Sequence, residues 1–194
     1  MTTTIPKNAK FLEAQSKVAV RLTEKYSNER KIEYDKVCEP IIWAKSLADI
    51  KVLIKMFMLD DVFKIDYLSD VTAYDNQDGE DGDKRFVMVY NLYSLEKHIR
   101  VRVKALVAEN EQVPSITDLW PGANWFEREV FDMFGISFSG HPNLRRILMD
   151  ERFTGHPLRK EYPIKQREPF KDNIRIHLGG NPLSVDTSVN EGEK

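Results

Sequence analysis

FVMVYNLYSLEKHIRVRVK, residues 86–104, is the stretch on which the fold turns. Phe86, Met88, Tyr90 and Leu92 alternate with their neighbours, and after a short break at Ser94 to Glu96 the run from His98 to Lys104 alternates again. A period of two is the repeat of a strand whose faces meet different surroundings, so two such runs across a short break predict a β-hairpin. In the second run Ile99, Val101 and Val103 point one way and Arg100, Arg102 and Lys104 the other. One face is therefore expected in a core, and the basic face toward solvent or a partner.

Upstream, Asp75 to Asp83 places two glycines among acidic residues and reads as a solvated turn. Phe63 to Tyr74 before it is rich in aromatic and β-branched residues. Ile50, Leu53, Ile54, Phe57 and Met58 form the i, i+3, i+4, i+7, i+8 stripe of an amphipathic helix, with Ser46 as N-cap and Asp49 three residues on. The apolar run Ile41 to Ala44 suits a strand, and Leu12, Val18, Leu22 and Tyr26 mark a helix over residues 9–26. Residues 1–120 are thus expected as a two-layer α+β domain, with helices on one face of a mainly antiparallel sheet. Residues 121–148 would add a short helix and loop. From there Pro157, Pro163, Pro169 and Pro182 interrupt any regular period, so residues 149–194 are expected to be either disordered or an extended arm laid along a partner. No internal repeat is present.

Lys and Arg number 29 against 31 Asp and Glu, a net charge of -2 that supplies no field for nucleic acid. The longest apolar stretch, Ile41 to Leu59, is broken by Lys45, Asp49, Lys51 and Lys55 and does not read as a membrane span. The N-terminus lacks the pattern of a secretory signal, so the chain is expected to stay inside the cell. Its single cysteine, Cys38, reads as a small buried hydrophobe, and one thiol cannot assemble an iron–sulfur cluster alone. Any redox cofactor is expected on another chain.

The chemistry is concentrated in residues 120–163, WPGANWFEREVFDMFGISFSGHPNLRRILMDERFTGHPLRKEYP. Asn124 and Glu127 resemble a capping pair and Gly135 fits a helix end, which predicts a helix over Trp125 to Phe134. On it Phe126, Val130, Met133 and Phe134 share a face, with Arg128, Glu129 and Asp132 opposite. Glu127 falls on the apolar side, where burial would call for the helix N-terminus and an arginine, Arg145 or Arg146, as partners. Glu127, Glu129, Asp132, His141 and His156 could form a metal site, though no HExxH or CxxC spacing occurs. Glu127 and Glu129 could form an acid/base pair, though residues two apart on a helix diverge. A cap and ion-pair network pinning helix to loop needs the fewest special arrangements. Trp120, Trp125 and Phe126 read as anchors in a core or an interface.

The string Glu127, Arg128, Glu129, then Asp132, Met133 and Phe134, then His141, then Arg145, Arg146, Ile147 and Leu148 resembles the signature of the thirty-kilodalton subunit family of respiratory complex I, its C component. DLWPGANWFERE before it and GHPLRKEYP after it are also similar, and the resemblance covers most of residues 30–163. It implies a peripheral-arm subunit of proton-translocating NADH:quinone oxidoreductase. The location implied is the cytoplasmic side of a bacterial inner membrane, or the matrix side of the mitochondrial one, with membrane association only through the complex. A protein of this kind has no catalytic residues and no cofactor, the flavin and iron–sulfur clusters residing in partners. It packs against the hydrogenase-like quinone-site subunit, the D component, and other peripheral-arm subunits. Glu127, Arg128, Glu129, Asp132, His141, Arg145, Arg146, His156, Arg159 and Lys160 are its expected signature and interface residues. Related membrane-bound hydrogenases and plastoquinone-reducing complexes contain equivalent subunits. A stand-alone metal-dependent enzyme using the Glu, Asp and His cluster is an alternative of a different class.

Overall fold

A computed structural model describes residues 17, 18, 20–22, 24, 25, 30–35 and 39–163. The element order is β1 (Ile32–Tyr34), β2 (Pro40–Trp43), α1 (Leu47–Leu59), β3 (Tyr67–Asp75), β4 (Phe86–Ser94), β5 (Ile99–Val107), β6 (Gln112–Pro114), α2 (Ala123–Phe134) and β7 (Ser137–Ser139). Before β1 the described residues from Lys17 to Lys25 are helical, with Val18 and Leu22 buried. The rest of the helix expected over residues 9–26, Cys38 and residues 164–194 of the expected arm lie outside the described residues.

The hairpin at residues 86–104 is the centre of the sheet. β4 and β5 pair antiparallel with Tyr90 opposite Val103 and Leu92 opposite Val101, and His98 closes the turn with φ 56 while its N–H donates to the Ser94 carbonyl at 2.9 Å. β3 extends the antiparallel pairing with a bulge between Leu68 and Asp70, and β2 joins β5 in parallel. The order is β1-β2-β5-β4-β3, mixed but mainly antiparallel. β6 and β7 form a separate parallel pair that the short apolar content of either stretch does not announce.

α1 crosses one face of this sheet with Ile50, Leu53, Ile54 and Phe57 buried, and Met58 at the edge of the stripe only half-buried. Its N-terminus is held as the sequence predicts: Ser46 Oγ accepts the Asp49 N–H at 3.3 Å, and Asp49 in turn accepts the Lys45 N–H at 3.1 Å. Arg30 anchors the same carboxylate at 2.8 and 3.1 Å. A single core runs from α1 through Ile99, Val101 and Val103 of β5 to Val130, Met133 and Phe134 of α2.

The other face of the sheet is not a free basic surface. Trp43, Val87 and Val89 are buried there beneath Tyr74 and Leu106, and Lys104 lies 5.1 Å from the centres of the Trp43 and Tyr74 rings. Arg102 donates to Asn91 at 2.9 Å and lies 3.6 Å from Asp35 and from Glu39. Only Arg100 of the three reaches well into solvent, where it still meets Glu39 at 3.2 Å. The acidic turn also differs from expectation at its start. Asp75 and Asn76 are buried, because Asn76 is the brace of the turn: its amide donates to the Gly82 and Lys84 carbonyls at 3.0 and 3.1 Å and accepts the Asp81 N–H at 3.1 Å.

The described residues up to Tyr162 group as one compact unit, so α2 and the loop after it belong to the same body as the sheet. Among the described residues no helix is long and apolar enough to cross a membrane.

Candidate functional site

The residues singled out in the sequence converge on α2 and the loop 141–160. α2 begins earlier than the expected cap implies: Gly122 is the N-cap and no side chain caps it, so Asn124 lies inside the helix and the expected Asn124–Glu127 capping pair does not form. The first turn is closed instead by backbone bonds, Ala123 N–H to Trp120 O at 2.9 Å and Asn124 N–H to Pro121 O at 3.2 Å. Gly135 ends the helix with φ +77, as the sequence leads one to expect.

Glu127 is fully buried on the apolar side of α2. Its partner is not an arginine. Oε1 accepts the Ile116 N–H at 2.7 Å, and Oε2 has no hydrogen-bond partner. Burial therefore pushes this carboxyl's pKa up. The Tyr90 hydroxyl, also buried and unpartnered, is pushed up as well, by burial first and then by the Glu127 charge. Sequence reasoning missed Ile116 and Tyr90 because a lone backbone N–H and a strand tyrosine carry no pattern that points to a distant carboxylate.

The arginines expected at Glu127 serve the opposite face of α2, which is not the solvent face its charges suggest. Asp132 is fully buried there and draws in the loop: Oδ2 accepts the N–H groups of Ile147, Leu148 and Met149 at 3.0, 2.8 and 2.8 Å. Arg146 binds its Oδ1 at 2.6 Å. Burial would raise this pKa, but the three backbone donors and the guanidinium together hold it below the usual carboxylate range. Arg128 extends the clamp by donating to the Arg145 carbonyl at 3.1 Å and the Arg146 carbonyl at 3.0 Å. His141 Nδ1 accepts the Asn143 N–H at 3.0 Å, which leaves Nε2 as the donor to Asn124 O at 3.3 Å.

The downstream block GHPLRKEYP caps the same helix. The last carbonyls of an α-helix have no partner within it. Here His156 Nδ1 donates to Asp132 O at 2.9 Å, the Leu158 N–H to Met133 O at 3.1 Å and Arg159 Nε to Phe134 O at 2.7 Å. Arg146 reaches back to Gly155 O at 2.9 Å. The Lys160 N–H donates to Asp75 at 2.9 Å and its ammonium pairs with Asp78, which ties the loop to the end of β3. Burial, then the charges of Arg159 and Arg146, lower the His156 pKa despite its bond to the carbonyl.

Of the ten expected residues, Glu129 and Arg145 alone are exposed and lack side-chain partners among the described residues; the ammonium of Lys160 is half-exposed but paired. Glu127 and Glu129 do not meet as an acid/base pair, since one is buried in the core and the other is exposed. Among the described residues no group of three or more His, Cys, Asp and Glu side chains is placed to hold a metal ion.

Fold and site together define a two-layer α+β domain whose second helix is locked by the loop that follows it. The chain belongs to the family described as respiratory-chain NADH dehydrogenase, 30 Kd subunit, whose model matches residues 45–168, from before α1 through the clamp loop. It is 50% identical over 116 residues to the C component of NADH-quinone oxidoreductase from Ruegeria sp. (strain TM1040), covering 60% of this chain and 56% of that one. It is 54% identical over 97 residues to the mitochondrial NADH-ubiquinone oxidoreductase 30.4 kDa subunit of Neurospora crassa, 50% of this chain and 33% of that one. A third relative, the C/D component of NADH-quinone oxidoreductase from Bdellovibrio bacteriovorus, is 43% identical over 128 residues, 66% of this chain and 22% of that one. The matched stretch thus spans 22 to 56% of these three relatives' lengths.

Proposed function

We propose that the chain is a peripheral-arm subunit of proton-translocating NADH:quinone oxidoreductase that scaffolds the quinone-site subunit and holds no flavin, iron–sulfur cluster or catalytic residue of its own. The observation that carries this reading is the family match over residues 45–168, together with relatives named as the C component of that enzyme. The site is consistent with a scaffold: Asp132, Arg146, His156 and Arg159, the groups best suited to acid/base or metal chemistry, are engaged with one another or with backbone carbonyls and amides. The partner assigned is the D component, the hydrogenase-like quinone-site subunit, because the Bdellovibrio relative's name joins C and D in one chain. The complex would hold the chain at the cytoplasmic or matrix face of the membrane.

The purified chain is expected to contain no stoichiometric iron, zinc or flavin and to oxidise no NADH. Deleting its gene should abolish NADH:quinone activity in membranes, and returning the full chain should restore it. Retained activity after deletion, or turnover by the chain alone, would overturn the proposal.

A further inference from the structure

α2 and its capping loop sort their charged residues into two sets. Glu127, Arg128, Asp132, Arg146, His156 and Arg159 are held within the chain. Glu129 and Arg145 are exposed, and neither has an ion pair or side-chain hydrogen bond among the described residues. Beside them two large apolar side chains are open to solvent, Trp125 and Leu148, each 61% exposed.

These four residues lie on α2 and on the loop bonded to it. Trp125 and Glu129 are one turn apart on α2 and share a face. The Arg128 guanidinium lies 5.3 Å from the Trp125 ring centre, and its Nε donates to the Arg145 carbonyl, which brings the backbone at Arg145 to the same side of α2. Leu148 is fixed by its N–H to Asp132, one turn beyond Arg128. The clamp beneath is hydrogen-bonded throughout, so helix and loop present the patch in a set geometry and little ordering cost remains for a binding event. A tryptophan and an arginine flanked by apolar surface is the composition of an interface hot spot.

Resting on the functional reading above, we infer that Trp125, Glu129, Arg145 and Leu148 are the docking patch for the quinone-site subunit. That partner offers a carboxylate to Arg145, a cation to Glu129 and an apolar recess to Trp125 and Leu148. It is the occupant because the fused relative has it on the same chain as this domain, and a tether of that kind is productive where the two parts touch. Opposite charges at Glu129 and Arg145 would give such a contact one register.

The test uses the full chain, tagged and expressed in its own host in place of the untagged copy, with the quinone-site subunit recovered from solubilised membranes and quantified by mass spectrometry. Arg145→Glu and Trp125→Ala are each expected to lower the recovered partner at least tenfold while the purified variants keep the wild-type melting temperature. Leu59→Ala, at an exposed leucine of α1, should change nothing. If the wild-type chain recovers no quinone-site subunit, the functional reading itself fails. If wild type and both variants recover it equally, the docking patch is wrong and the reading stands. Loss of self-association on Trp125→Ala, with partner recovery unaffected, would reassign the patch to a second copy of this chain and overturn the inference. Should Trp125→Ala lower the melting temperature, Arg145→Glu decides, since that side chain has no ion pair or hydrogen bond to lose among the described residues.

Discussion

Glu127 and Asp132 are both fully buried on the same helix, yet they affect stability with opposite sign. Burial raises Glu127 above its ordinary 4.5, so the folded chain holds that proton more tightly than the unfolded one. Its contribution therefore improves as pH falls from neutral and levels off below 4.5. Asp132 lies below its ordinary 3.8, so its contribution is complete above that pH and is lost as pH falls through the lower folded value. Glu127→Gln keeps an acceptor for the Ile116 N–H and removes the buried charge. Denaturant unfolding should find it at least as stable as wild type near neutral pH, with the advantage shrinking as pH is lowered; a loss that is largest near neutral pH and disappears as the carboxylate protonates would show that Glu127 has a charged partner. Asp132→Ala strands three backbone donors and the Arg146 guanidinium. Breaking a buried pair in this way costs about 3–5 kcal/mol, against a change within about 0.5 kcal/mol for Glu80→Ala on the exposed turn.

At the level of elements, α2 depends on chain that follows it. A Cβ at Gly135 would lie 2.5 Å from His156 Nε2 and 2.8 Å from Arg159 Nη2, at a φ of +77 that L-residues rarely adopt. Gly135→Ala should therefore cost at least about 1–3 kcal/mol of backbone strain, read as a lower denaturation midpoint with an unchanged slope. Burial beside Arg159 and Arg146 disfavours the charged form of His156. Its folded pKa is lowered from 6.5, so its contribution is complete above that pH and fades as pH falls below it. His156→Gln should flatten the part of the stability–pH curve just below pH 6.5; an unaltered curve would mean the imidazole titrates freely.

Across the whole molecule, the fold does not stop where the last regular element ends. Residues 151–162 cap α2, hold Arg146 and reach Asp75, and Glu161 pairs with Arg85 beside β4. A chain ending at Asp150 loses the partners of three helix carbonyls, and at about 1 kcal/mol for each bond it should be less stable by roughly 3 kcal/mol. A chain ending at Tyr162 keeps every one of them and should unfold with wild-type cooperativity in thermal melts. Equal stability of the two would show that the capping loop does not contribute to the fold in solution.

What could be read from the amino acids was whatever repeats locally. The hairpin of residues 86–104 and the α1 stripe follow from periods of two and 3.6, and the Ser46 cap and the Gly135 terminus follow from single-residue backbone chemistry. Glu127 was placed on the buried side by angle alone. Its partner was not, nor was the burial of Asp132, since both depend on segments that return from 11 and 14 to 17 residues away. The same reason hid the role of His156 and Arg159: helix-terminal carbonyls attract any donor the chain brings back, and helical period says nothing of which donor arrives. Periodicity fixes which side of an element is apolar. Which polar groups meet across elements depends on where the loops return, and that is a property of the packed molecule.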